Sequence, residues 1–204
     1  MFLSLTIFCI AGGLILAEVD NITREPIAAS GKEKLEKAVR EVVPGFDNSP
    51  TDEAYFGVVD GDSLKIYPAK KEGKLIGIAV ESSTMKGYSG YIDIIVGFDL
   101  QGKIINYSII SHSETPGLGS KMDVWFKTDK NKQNILGKNL SKGRLKLSKD
   151  GGDVDAITAS TITSRAFLDM VNRAYAAYWG ASGETPPSTD AVTDATTSAS
   201  SQHN

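Results

Sequence analysis

The sequence is poor in the residues that build metal centres and covalent cross-links. One cysteine, Cys9, stands alone among 204 residues, so no disulfide can close within the chain. It lies in an apolar run, where an inert buried or lipid-facing thiol is the expected state. Two histidines, His112 and His203, together with one cysteine cannot complete a structural zinc site. A net charge of −3 offers no broad basic field for nucleic acid. Charge is absent from Met1 to Ala17, and Ala181 to Asn204 contains no aromatic residue, Lys or Arg.

Each end reads differently. As a helix, the uncharged run at Met1–Ala17 spans roughly 25 Å, and continuation to Ile22 would match the ~30 Å hydrocarbon core. No basic residues precede it as a cleaved leader would require, so residues 1–22 are expected to be a retained single-pass membrane anchor, with cytoplasmic residues expected upstream of Met1. The nearest cations, Arg24, Lys32 and Lys34, all follow the run. By charge alone they favour a cytoplasmic position for the rest of the chain, although long domains translocate regardless of such charges. The tail 181–204 cannot bury enough apolar surface to offset its ordering entropy and should be disordered.

Between these ends the hydrophobic periodicity changes once from helix to strand and once back. Residues 23–45 form a connector broken by Pro26, then an amphipathic helix from Lys32 to Val43 with Leu35, Val39 and Val42 on one stripe. From Phe56 to Ser113 the pattern alternates, punctuated by Asp60-Gly61, Lys86–Tyr91 and Asp99–Gly102. It predicts an antiparallel sheet in which Ile76, Ile78 and Val80 share a face, as do Ile92, Ile94, Val96 and Phe98, and Ile105, Tyr107 and Ile109. Trp125 and Phe126 are read as core, with Leu140, Leu145 and Leu147 as anchors in a Lys-rich segment. A long helix is expected from Ser160 to Trp179, capped by Gly180. The fold class is therefore α+β, an antiparallel sheet flanked by helices over 46–180, preceded by one transmembrane helix.

The chemistry-bearing stretch is Asp155–Ser164, Asp-Ala-Ile-Thr-Ala-Ser-Thr-Ile-Thr-Ser. Thr158, Ser160, Thr161 and Thr163 crowd the start of the long helix. One hydroxyl would serve as an N-cap. Several hydroxyls separated by small residues also suit an anion, because a helix start offers unpaired amides and a positive dipole end. On composition, phosphate site and plain cap stand about even. A second stretch, Glu114-Thr-Pro-Gly-Leu-Gly-Ser-Lys121, has the proline and glycines of a turn that brings backbone close to a neighbour. Read locally, it is a turn before a helix, with His112 a structural histidine beside it.

Asp155-Ala156-Ile157-Thr158-Ala159-Ser160-Thr161 resembles the flavin-attachment motif of the FMN-binding subunits in the Rnf and sodium-pumping NADH:quinone oxidoreductase families. Ala159-Ser160 replaces the usual Gly-Ala pair, and Thr161 falls on the acceptor position. Glu114–Gly119 resembles the second signature of the same subunits. The likeness runs from anchor to final helix, and the short, uninterrupted chain is nearer the Rnf-type G subunits than the C subunits of the sodium pump.

The resemblance implies FMN held covalently by a phosphoester to Thr161, with Thr158, Ala159, Ser160 and Thr163 around the phosphate. Glu114, Thr115, Gly117, Leu118, Gly119 and Lys121 would lie along the flavin ring. It implies an electron-transfer subunit without independent turnover, catalytic residues or a metal. That subunit would act in a membrane complex coupling ferredoxin:NAD electron transfer to ion translocation. Its flavin domain would sit on the extracytoplasmic side of the bacterial inner membrane. Partners would be the other subunits, membrane lipid and a flavin transferase using FAD and Mg²⁺. A stand-alone extracytoplasmic flavin reductase and a non-redox, membrane-anchored binding module are the rival readings. Flavin fluorescence surviving denaturation separates the last from the others, and co-purification with membrane electron-transfer subunits separates the complex from the lone reductase.

Overall fold

A computed structural model describes residues 31–181, together with isolated helical positions between residues 6 and 18. The expected anchor over 1–22 and the tail beyond Ala181 lie largely outside the described residues. Among those described, no helix is long and apolar enough to cross a membrane.

Five strands, β1 (Tyr55–Val59), β2 (Asp62–Lys71), β3 (Lys74–Gly87), β4 (Gly90–Phe98) and β5 (Ile104–His112), form one antiparallel meander in sequence order. Short turns dictate this topology. Asp60-Gly61 (φ 52° and 84°) and Glu72-Gly73 (φ 50° and 74°) are two-residue loops whose positive φ values match the strands' right-handed twist. Helix α1 (31–42) packs on one face of the sheet. The short α2 (Met122–Trp125) follows β5, and α3 (Thr161–Ala181) covers the opposite face.

The two faces bury separate cores. Ile66, Ile78, Val80, Ile92, Ile94, Val96, Phe98 and Tyr107 meet Phe167, Met170, Val171, Ala174 and Tyr178 of α3. Phe126 stacks on Phe167 at 4.5 Å, which places it in the core as expected. On the other side Val39, Val42 and Val43 pack against Tyr67, Ala69, Ala79 and Ile95. Here α1 crosses so closely that a Cβ on Gly97 would lie 2.2 Å from the Val42 carbonyl oxygen.

Two of the expected stripes are broken. The register jumps from Ala69↔Gly77 to Lys70↔Leu75, so Ile76 is an extra residue and packs with the α1 core while Ile78 and Val80 face α3. A second bulge, between Gly97↔Asn106 and Phe98↔Ile104, sends Ile105 to the α1 side, away from Tyr107 and Ile109. An inserted residue reverses the alternation of every side chain beyond it. The β4 stripe from Ile92 to Phe98 carries no inserted residue of its own and stands as expected. Helix α3 continues through Ala181, so Gly180 lies in its last turn and does not cap it.

One carboxylate on the α1 side is held against its solution chemistry. Asp93 of β4 is 7% exposed. Burial, and then the neighbouring Glu81 carboxylate, push it up to about 7. Tyr67 donates to Glu81, and Tyr91 hydrogen-bonds Asp93. A carboxyl whose pKa is raised by folding binds its proton more tightly in the native state. Stability should therefore fall as pH rises from about 4 through 7. Asp93→Asn should flatten that slope and gain roughly 1–2 kcal/mol at pH 8, measured by urea denaturation across pH. An unchanged slope would show that Asp93 does not titrate in this range.

Candidate functional site

Residues 155–164 form a turn that feeds directly into α3. Ser160 N donates to Ile157 O at 3.0 Å, closing a turn with Thr158 and Ala159 at its corners. Ala159 has φ 61°, the left-handed region. The glycine of the resembling motif would adopt this conformation freely, whereas alanine pays about 1 kcal/mol or slightly more for it. Ala159→Gly should therefore raise stability by about 0.5–1 kcal/mol despite the added freedom of the unfolded chain. A lower denaturation midpoint would show that the turn does not hold this φ.

Ser160 occupies the N-cap position, and its carbonyl accepts from Ser164 N at 3.0 Å and from Ser164 Oγ at 2.9 Å. Ser164 Oγ in turn accepts from Ile157 N at 3.0 Å. These bonds lock the turn onto the first turn of the helix. Thr161 is thus the first helical residue. The opening amides of a helix have no intrahelical partner and carry its positive dipole end.

The hydroxyls divide by burial. Thr163 is fully buried and Ser160 is 8% exposed, whereas Thr158 is exposed and Thr161 partly so. Thr163 Oγ1 donates to Glu114 Oε2 at 2.8 Å, and Ser160 Oγ lies 3.1 Å from Thr163 Oγ1. By position the N-cap hydroxyl is that of Ser160, and Thr158 lies two residues before it. Asp155, at the head of the motif, is consumed by folding. Its Oδ1 accepts from Ser148 Oγ at 2.7 Å, its Oδ2 from Lys132 N at 3.2 Å, and its carbonyl from Trp125 Nε1 at 3.0 Å. The Ser148 bond, followed by the Lys132 amide, holds its carboxyl below the usual carboxylate range.

Glu114 joins the two sequence signatures. It is 4% exposed, and besides Thr163 it accepts from Ser89 N through Oε1 at 3.2 Å. His112 accepts from Glu114 N through Nδ1 at 3.1 Å, which places its neutral-form proton on Nε2. The structure therefore brings the β3–β4 turn, the 112–121 loop and the start of α3 to one buried carboxylate. Thr115, Gly117, Leu118 and Lys121 lie on the exposed side of that junction, with Leu118 42% exposed. Gly119 is buried, and the room it leaves is taken by Glu114: an added Cβ would lie 2.3 Å from Oε2. The glycine thus admits the protein's own carboxylate.

Ser89, Gly87, Ser148 and Lys132 were not evident as site residues. The Gly-Tyr spacing of Lys86–Tyr91 was the one local signal, and it equally suits a plain hairpin turn. An added Cβ at Gly87 would lie 2.6 Å from Glu114 Oε1, which explains a glycine there.

The donor set fits a phosphomonoester. Free helix-start amides adjoin the Thr158 and Thr161 hydroxyls, the Glu114 carboxylate is turned inward to Thr163, and the Asp155 carboxylate is occupied by Ser148 and the Lys132 amide. The family model described as FMN-binding domain matches residues 87–176, a span that contains all three segments of the junction. The chain is 33% identical over 182 residues to the G subunit of the ion-translocating oxidoreductase complex of Vibrio vulnificus (strain YJ016), covering 83% of each chain. To the G subunit of the same complex in Aliivibrio fischeri (strain MJ11) it is 35% identical over 187 residues, covering 84% of this chain and 86% of that one. NqrC of Shewanella oneidensis shares the fold, with a TM-score of 0.52 at 18% identity over 71% of this chain and 91% of that chain.

The junction thus lies within an FMN-binding domain. The chain belongs to the family of G subunits of ion-translocating oxidoreductase complexes.

Proposed function

We propose that the protein is the FMN-carrying electron-transfer subunit of an ion-translocating membrane complex and that Thr161 bears the flavin through a phosphoester. The observation that supports this reading is the sorting of hydroxyls at the α3 start. Thr161 alone combines partial exposure with a place in the first helical turn. Attachment would form a bond from Thr161 Oγ1 to the FMN phosphorus of a flavin adenine dinucleotide. The pyrophosphate bond would break, AMP would leave, and the hydroxyl proton would pass to the transferase.

When bound, FMN supplies one- and two-electron redox chemistry. The chain's own residues hold and orient. The α3 amides stabilise the phosphodiester charge, and the Thr115–Leu118 backbone with the Leu118 side chain offers an apolar shelf beside it. Electron transfer would run between ferredoxin and NAD through partner subunits. Residues 1–22 would tether residues 46–180 outside the cytoplasmic membrane, with a dispensable tail after them. Covalency has a physical reason there. No pool of free flavin would restore a cofactor lost by dissociation.

Two measurements test the reading. Intact mass should show one FMN per chain when the protein is made with a flavin transferase, and peptide mapping should place it on Thr161. Protease added outside intact spheroplasts should cut the domain; cutting only after lysis would overturn the proposed side.

A further inference from the structure

Thr163 has one hydroxyl hydrogen, and it is committed to Glu114 Oε2 at 2.8 Å. In the 3.1 Å contact with Ser160, Thr163 must therefore accept and Ser160 donate. The chain of bonds has a fixed direction, from Ser160 through Thr163 to a buried carboxylate. Glu114 itself cannot turn away, because Ser89 N holds its other oxygen and Gly87 and Gly119 pack against it. Ser160, two residues from Thr158 and adjacent to Thr161, is thereby drawn inward.

We infer that this relay decides which hydroxyl is modified: Glu114 and Thr163 are positioning residues that withdraw Ser160 and leave Thr161 as the acceptor. The inference rests on the proposed attachment of FMN to this segment. It assigns Glu114 a task before any electron moves. A carboxylate buried at 4% exposure is costly unless its lone pairs are filled, so its two donors are held firmly. Loss of the Thr163 hydroxyl removes the acceptor that fixes Ser160. Its side chain can then rotate outward to the same helix start that Thr161 serves.

The experiment is peptide mapping of FMN on the full chain made with a flavin transferase, comparing wild type, Thr163→Val, Thr163→Ser and Ser160→Ala/Thr163→Val. Thr163→Val keeps the shape and removes the hydroxyl. The ratio of Ser160- to Thr161-linked FMN should rise about tenfold, the change expected from one hydrogen bond of net about 1.4 kcal/mol. Thr163→Ser restores the hydroxyl and should return the label to Thr161. Ser160→Ala/Thr163→Val should carry FMN on Thr161 alone. A Thr163→Val protein that loses flavin yield but keeps every label on Thr161 would overturn the inference, since a purely structural role lowers yield without moving the site. Wild type without flavin on Thr161 would instead overturn the attachment reading.

Discussion

Thr161→Ala is expected to yield a folded protein with no covalent flavin. Thr161 is the first residue of α3, partly exposed, and its hydroxyl has no protein partner among the described residues. Its loss therefore leaves the turn, the relay and the core intact. Surface substitutions of this kind cost little, within about 0.5 kcal/mol. Alanine also suits a first helical turn. The loss of label should be complete, because Thr158 lies back in the turn and Ser160 faces inward. In-gel flavin fluorescence after denaturation should vanish while the melting temperature stays within a degree or two. A fluorescent Thr161→Ala band would mean that another hydroxyl serves, and mapping would identify it.

The second large effect is expected at Gly119. A Cβ there would lie 2.3 Å from Glu114 Oε2 and 2.9 Å from Glu114 Cβ. The carboxylate cannot step aside without losing Thr163 or Ser89, and the fully buried Thr163 hydroxyl would then be left without its acceptor. Overpacking together with one or two broken charge-assisted bonds should cost about 3 kcal/mol for Gly119→Ala. Attachment should fall in parallel, because the α3 start is held by the same carboxylate. Pairing Gly119→Ala with Glu114→Ala gives a direct check. If the clash with the carboxylate is the cause, removing it should make the two losses clearly less than additive. Additive losses would show that Gly119 is constrained by something else.

The sequence carried the large-scale fold because its signals are local. Asp60-Gly61 marks a tight hairpin, and the Ile92–Phe98 alternation marks an unbroken inner stripe. The bulges at Ile76 and Ile105 were hidden because a bulge is a property of two paired strands, whereas alternation is read along one. At the candidate site the motif showed which hydroxyls cluster but not which ones turn inward. That sorting depends on Glu114, 49 residues away from Thr163 in sequence. Ala159 was legible only as a departure from glycine. Its φ of 61° gives the departure a structural meaning. Gly180 misled because glycine is tolerated inside a helix when packing of the preceding turns carries it.

The meander has a consequence for the order of assembly. Each strand pairs with the one before it in sequence, so the sheet can zip together before the last helix is in place. The Glu114 junction cannot. Glu114 and Ser89 emerge early, but their carboxylate junction stays incomplete until Thr163 arrives on the last helix and docks. Attachment at Thr161, as proposed, would therefore be a late event that doubles as proofreading, since only a chain that has finished folding presents Thr161 at a helix start. Chains that end shortly after Thr163, and so carry Thr161 without the helix that docks it, should remain colourless when offered FAD and a flavin transferase, and full chains should take up flavin.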